Sequence, residues 1–214
     1  MAESGGDLAA GAKRARPSSD SSGEDRLSAL PDDVLVLILL RLCTPAAART
    51  SALARRWRRV WALLPELRFL APPEPRLLRG ALDAHEAPLR ALFVGGRGAS
   101  AESLATWAPA AARRVSGDLA VSSRPPGANA GCVDDEAAAA AFAAAAQRGV
   151  FELPRFERAT SISLDLRHLG LAVPPAGVFS RLTSLDLSGV RFHGACELGE
   201  AVSSPRCSAA RIEA

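Results

Sequence analysis

The 214-residue chain contains no tyrosine, a single methionine and four cysteines. Those cysteines, Cys43, Cys132, Cys196 and Cys207, are too few and too scattered for a disulfide scaffold. No CxxC spacing joins any two of them, which argues against a structural zinc site. Long hydrophobic runs are missing as well. The longest strongly apolar stretch, Val34 to Leu40, falls far short of the ~20 residues that span a bilayer. The N-terminus holds no apolar run of signal-peptide length, because acids and glycines interrupt it. These absences lead to the expectation of a soluble protein with reduced thiols, cytoplasmic and/or nuclear, with no membrane partner. The net charge is only +3, which excludes both a histone-like chain and an acidic disordered one.

Catalytic and metal motifs are absent too. His85, His168 and His193 lie far apart, without the HxxxH or ExxH spacing of a metal site. No G-x-S-x-G elbow supports a nucleophilic serine. Gly95-Gly96-Arg97-Gly98 lacks the Gly-Lys-Ser/Thr ending of a phosphate loop and reads as a flexible turn. The expectation is a non-catalytic protein with no cofactor and no metal.

What is abundant is alanine and arginine: 44 alanines, and 25 arginines against one lysine, Lys13. An arginine excess suits phosphate, because the guanidinium fork matches it, so an arginine-rich nucleic-acid-binding protein is one reading. GC-rich codon usage is the other, and the spread of arginine along the whole chain favours it. No nucleic-acid partner is therefore expected. Lys13-Arg14-Ala15-Arg16 is a weak import-like cluster within residues 1–24, whose Gly, Ser, Ala and Asp content predicts a disordered tail.

Residues 25–67 read as three short helices. Pro31 suits a first helical position, and Asp32 and Asp33 complement the helix dipole there. Val34, Leu35, Ile38, Leu39 and Leu42 follow at helical spacing, with Val36, Leu37 and Leu40 making the helix apolar nearly all round. Thr44-Pro45 predicts a second helix, with the threonine as its cap and a span to Leu53. In the third, from about Ala54 to Leu64, Trp57, Val60, Trp61 and Leu64 form one stripe flanked by Arg55, Arg56, Arg58 and Arg59. Three helices this short make a poor core, so a partner protein is expected to complete it.

Asp25-Arg26-Leu27-Ser28-Ala29-Leu30-Pro31-Asp32-Asp33-Val34-Leu35, then Arg49-Thr50-Ser51 and Arg55-Arg56-Trp57-Arg58-Arg59-Val60-Trp61, resemble a plant F-box. The resemblance implies docking to a Skp-type adaptor and, through it, to a cullin-based ubiquitin ligase. By position it implies an adaptor-binding set of Leu30, Pro31, Val34, Leu35, Ile38, Leu39, Leu42, Trp57 and Trp61. Many members of that family carry an acidic residue where Ala46 or Ala47 stands, and this departure leaves the register of the second helix open.

Beyond Pro72-Pro73-Glu74-Pro75, residues 68–87 read as a proline-rich linker, and residues 88–202 as alternating strands and helices. Strands are expected at Leu89–Val94, Asp118–Ser122, Ile162–Leu166 and Leu182–Leu187. Helices are expected at Ala101–Val115 and from Asp134 to Arg148, the latter anchored by Phe142. Ser163-Leu164-Asp165-Leu166 recurs as Ser184-Leu185-Asp186-Leu187, 21 positions on, with Leu169 matching Val190 and Leu171 matching Phe192. That period lies within the window of leucine-rich repeats, and the region resembles the leucine-rich part that follows the F-box in many plant proteins. The fold class expected is α/β (α+β): a three-helix module, then a short irregular solenoid, with residues 203–214 an irregular tail.

Asp165, Arg167, Asp186 and Ser188 point away from the leucines and are the candidate target-binding residues. The function implied is that of a substrate receptor, with the F-box on the adaptor and the repeats on an unknown protein target. A truncated or non-ligase F-box protein that binds the adaptor without a client is the alternative.

Overall fold

In the computed structural model, residues 27, 29–71, 74–96, 100–123, 149–173, 179, 181–193 and 209–213 are described. The chain divides into two units, Met1–Pro31 and Asp32–Ala214. In the first, the Leu30 amide donates to the Leu27 carbonyl at 3.3 Å, closing a turn. The expected disordered tail lies outside the described residues.

The second unit opens with three helices: α1 (Asp32–Leu40), α2 (Thr44–Thr50) and α3 (Arg55–Ala62). Two details differ from expectation. Helix α2 ends at Thr50, not near Leu53, and the Thr44 hydroxyl does not cap it. That hydroxyl instead accepts from the Arg68 amide at 2.6 Å, at the edge of the first strand.

The sheet follows at once: β1 (Glu66–Phe69), α4 (Pro75–Asp83), β2 (Leu89–Gly95), α5 (Ala101–Arg114), β3 (Val115–Ser122), β4 (Val150–Glu152), β5 (Ser161–Ala172), β6 (Ser184–Phe192) and β7 (Ala209–Glu213). The strand order is β1-β2-β3-β5-β6-β7, with β4 also paired to β5, and every pairing is parallel. Two expectations are corrected. Residues 68–87 are not a linker, because β1 reaches Phe69 and Pro75 opens α4 at a position where its missing amide costs nothing. The C-terminal stretch 203–214 is not wholly irregular, because Ala209–Glu213 pairs with β6. The helix expected at 134–148, with Phe142, lies outside the described residues, as do Cys132, Cys196 and Cys207.

The core is built by strand alternation. Leu67, Leu92, Leu119, Ile162 and Leu185 are paired from strand to strand and all are buried. Phe69, Val94, Val121, Leu164 and Leu187 form a second such row. Burial with period 2 follows from the pleat, and the opposite face is part-buried, with Ala91, Phe93 and Ala120 beside polar residues. Helix α5 covers the apolar face: its Leu104, Trp107 and Ala108 line one apolar gap with Leu119, Val121 and Leu164. Ser100 caps it by accepting from the Ser103 amide. Pro109 is tolerated inside α5 because it and Ala105, whose carbonyl loses its donor, both face solvent.

The register of β5 on β6 corrects the 21-residue repeat. Ser161 pairs with Ser184 and Leu164 with Leu187, a step of 23, while Leu169 pairs with Val190 and Leu171 with Phe192, the expected step of 21. The two extra residues sit in a corner of β5 where Arg167 (φ 49°) and His168 (φ 63°) are left-handed, facing Gly189 (φ 55°) on β6. A slip of two preserves the face of every side chain, whereas a slip of one would have inverted it.

Candidate functional site

Helix α1 is too greasy to bury every side, so the fold must choose which residues stay outside. Leu35 and Leu39, one turn apart, go inward and are each 1% exposed. Val34 is half-buried, while Ile38 and Leu42 are exposed. Three apolar residues outside the adaptor-binding set are also exposed: Leu40, Leu37 (62%) and Leu53 (73%). The apolar surface left open here therefore includes Ile38, Leu42, Leu37, Leu40 and Leu53 and part of Val34, while Leu35 and Leu39 lie in the core. Leu30 is half-buried and Pro31 exposed in the N-terminal unit.

Helix α3 is held from two sides. At its start, the Arg56 Nε bonds the Asp32 carboxylate at 2.8 Å, linking it to the first turn of α1. At its end, the Ala62 carbonyl accepts from the amides of Glu86 and Ala87, and the Pro65 carbonyl from that of Arg90. Trp61 is half-buried and meets His85 edge to face, with centroids 5.9 Å apart at 89°. Trp57 is also half-buried. These tryptophans steady the helix, and neither is a fully exposed anchor.

His85 is 1% exposed, and its Nε2 lies 2.7 Å from the Leu64 carbonyl. A carbonyl only accepts, so Nε2 carries the proton, and Nδ1 is left bare and buried without a partner. Burial pushes the His85 pKa below the usual histidine value; Arg114 adds to this, while the Leu64 hydrogen bond and Glu86 oppose it.

On the sheet, Asp165 and Asp186 occupy outward positions between buried leucines, and Ser188 follows buried Leu187 on the same side. Asp165 lies opposite Ser188, and Asp186 opposite Ser163 on one side and Arg211 on the other. Arg167 is set apart: it is exposed in the left-handed corner, outside the alternating register. The face thus gathers three of the four residues. Among the described residues, no group of three or more His, Cys, Asp or Glu could hold a metal ion. Among them too, no helix is long and apolar enough to cross a membrane.

Residues 27–69 match the family model of the F-box domain, and they take in all three helices and β1. The chain carries an F-box domain. It is similar to a putative F-box/FBD/LRR-repeat protein of Arabidopsis thaliana, 55% identical over 47 residues that cover 22% of this chain and 10% of that one. A putative F-box/LRR-repeat protein of the same plant is 35% identical over 114 residues, 48% of this chain and 27% of the relative. A further F-box/LRR-repeat protein is 43% identical over 75 residues, 35% and 16% of the two chains. The longest of these stretches exceeds the F-box itself, so the likeness is not confined to the domain. These matches span between a tenth and about a quarter of the relatives' own length. No solved structure matches.

Proposed function

We propose that this F-box protein is a substrate receptor of an SCF-type, cullin-based ubiquitin ligase, docking a Skp-type adaptor with its helical module and a protein target with its sheet. The observation that carries the reading is the apolar surface left open on the F-box itself. Leu37, Ile38, Leu40, Leu42 and Leu53 are all exposed there, and each forgoes part of the ~1.5–3 kcal/mol that full burial of such a side chain contributes. Covering them against a partner recovers that energy. Leu30 and Pro31 join the adaptor-binding set from the sequence motif, Val34, Trp57 and Trp61 from their half-exposed positions, and Leu35 and Leu39 support it from inside.

For the sheet, the supporting features are parallel strands stacked in chain order and rows of paired leucines, which is how a leucine-rich solenoid buries its repeats. Asp165, Asp186 and Ser188, with Arg167 at the corner, are the residues offered to the target. The contribution to catalysis is proximity: the receptor raises the target's effective concentration near a transfer site held by other subunits.

Co-purification with a Skp-type adaptor tests the reading. Ile38→Asp with Leu42→Asp is expected to weaken binding by at least ~100-fold, about 3 kcal/mol, with the melting temperature nearly unchanged. Leu35→Ala is expected to lower stability by ~2–5 kcal/mol instead, because it opens a cavity. An intact chain that never retains the adaptor sinks the proposal.

A further inference from the structure

The F-box module carries an unbalanced charge. Between Asp32 and Leu64 there are six arginines, Arg41, Arg49, Arg55, Arg56, Arg58 and Arg59, and only two acids, Asp32 and Asp33. Net +4 on this stretch exceeds the +3 of the whole chain. Arg56 is engaged with Asp32. Arg55, Arg58 and Arg59 are exposed, stand at i, i+3 and i+4 on one side of α3, and make no ion pair among the described residues. Their placement is unfavourable within the chain: α3 has no acid in its first turn and no side-chain cap, so Arg55 and Arg56 sit at the positive end of the helix dipole. Asp32 offsets the charge of Arg56, and among the described residues no acid pairs with Arg55.

Two of the six arginines have exposed aliphatic neighbours in the sequence. Arg41 stands between exposed Leu40 and Leu42, and Arg55 follows two positions after Leu53. Meanwhile the tryptophans of the same helix are drawn toward the core, Trp61 onto His85. A surface that bound nucleic acid would present aromatic platforms for base stacking beside its arginines. This one presents leucines.

We infer that the partner of this module is a protein whose apolar contact surface is edged by carboxylates, and that Arg55, Arg58 and Arg59 steer it into place. The inference rests on the adaptor reading above and adds the chemistry of the adaptor's surface. Exposed charges at an interface rim act chiefly on the association rate and its salt dependence, while the buried apolar contacts govern dissociation.

The test is association kinetics of the full chain with a Skp-type adaptor, from about 50 mM to about 500 mM salt, a range over which screening closes from well beyond 10 Å to about 4 Å. The association rate of the wild type is expected to fall at least ~10-fold across that range with little change in dissociation. In Arg55→Gln/Arg58→Gln/Arg59→Gln the low-salt rate should already be low and the slope flattened. The corresponding triple lysine variant should restore it, because steering needs charge and not the guanidinium shape. Adaptor binding with the same rate and slope in the glutamine variant overturns the inference and leaves the receptor reading standing; no adaptor binding by the wild type overturns both. Single-stranded RNA bound more tightly than the adaptor, and lost in the glutamine variant, would also overturn it and assign the face to nucleic acid.

Discussion

His85 belongs to no motif, yet its ring joins the end of α3 to the segment before β2. Its Nε2 proton goes to the Leu64 carbonyl, its ring edge meets Trp61, and its Nδ1 is buried without a partner. Protonation would place a charge where no acceptor waits. Its folded pKa is held below the unfolded value by burial. Above the unfolded pKa of ~6.5 both states are neutral and His85 adds no pH dependence. As pH falls below that value, the unfolded chain takes up the proton first, so stability is lost until the folded pKa is passed. The expected outcome is a melting temperature that declines below about pH 6.5, with His85 contributing a slope of at most ~1.4 kcal/mol per pH unit. His85→Gln keeps a donor for Leu64 and should remove that contribution; an unchanged slope in a thermal melt series would falsify the assignment.

Two glycines with opposite demands mark the elements. Gly117 lies in a bulge where Leu89 pairs with Val115 but Ala91 with Asp118, so β3 carries one extra residue against β2. A Cβ there would collide with the Arg90 carbonyl oxygen, and backbone cannot step aside cheaply. Gly117→Ala is expected to destabilise by ~1–3 kcal/mol. Gly80, inside α4, is exposed and a Cβ would meet nothing within 4 Å. Gly80→Ala should therefore stabilise by ~0.5–1 kcal/mol, through helix propensity and lower unfolded-state entropy. Chemical denaturation of both variants checks the pair, and stabilisation by Gly117→Ala would show the bulge to be relaxed.

Across the whole second unit, the helical module and the sheet share hydrogen bonds instead of a tether. The Thr44 hydroxyl holds the β1 edge, the carbonyls of Ala62 and Leu64 are taken by the segment leading into β2, and that of Pro65 by β2 itself. Breaking either part leaves buried polar groups unpaired in the other, each costing ~1–3 kcal/mol. The two parts are therefore expected to melt together. Trp57 and Trp61 report on the module, and Trp107, buried in α5, on the sheet. Tryptophan fluorescence and far-UV circular dichroism should give one coincident midpoint, and two separated transitions would contradict the shared joint.

The sequence alone determined the local features. Pro31-Asp32-Asp33 and the tryptophan stripe marked helices, and the alternation of Leu164, Leu166, Leu185 and Leu187 marked strands and their inner faces, because periodicity is written in neighbouring residues. It also carried the likeness to the F-box. Tertiary structure decided what depends on residues distant in sequence. It chose which side of α1 is buried, since an all-apolar helix has no preferred side until something packs on it. It set the strand register, where a corner at Arg167–His168 absorbs two residues that the repeat motif alone could not reveal. It turned the supposed linker at 68–87 into β1 and α4, because short elements with weak periodicity gain their stability from the partners they pair with.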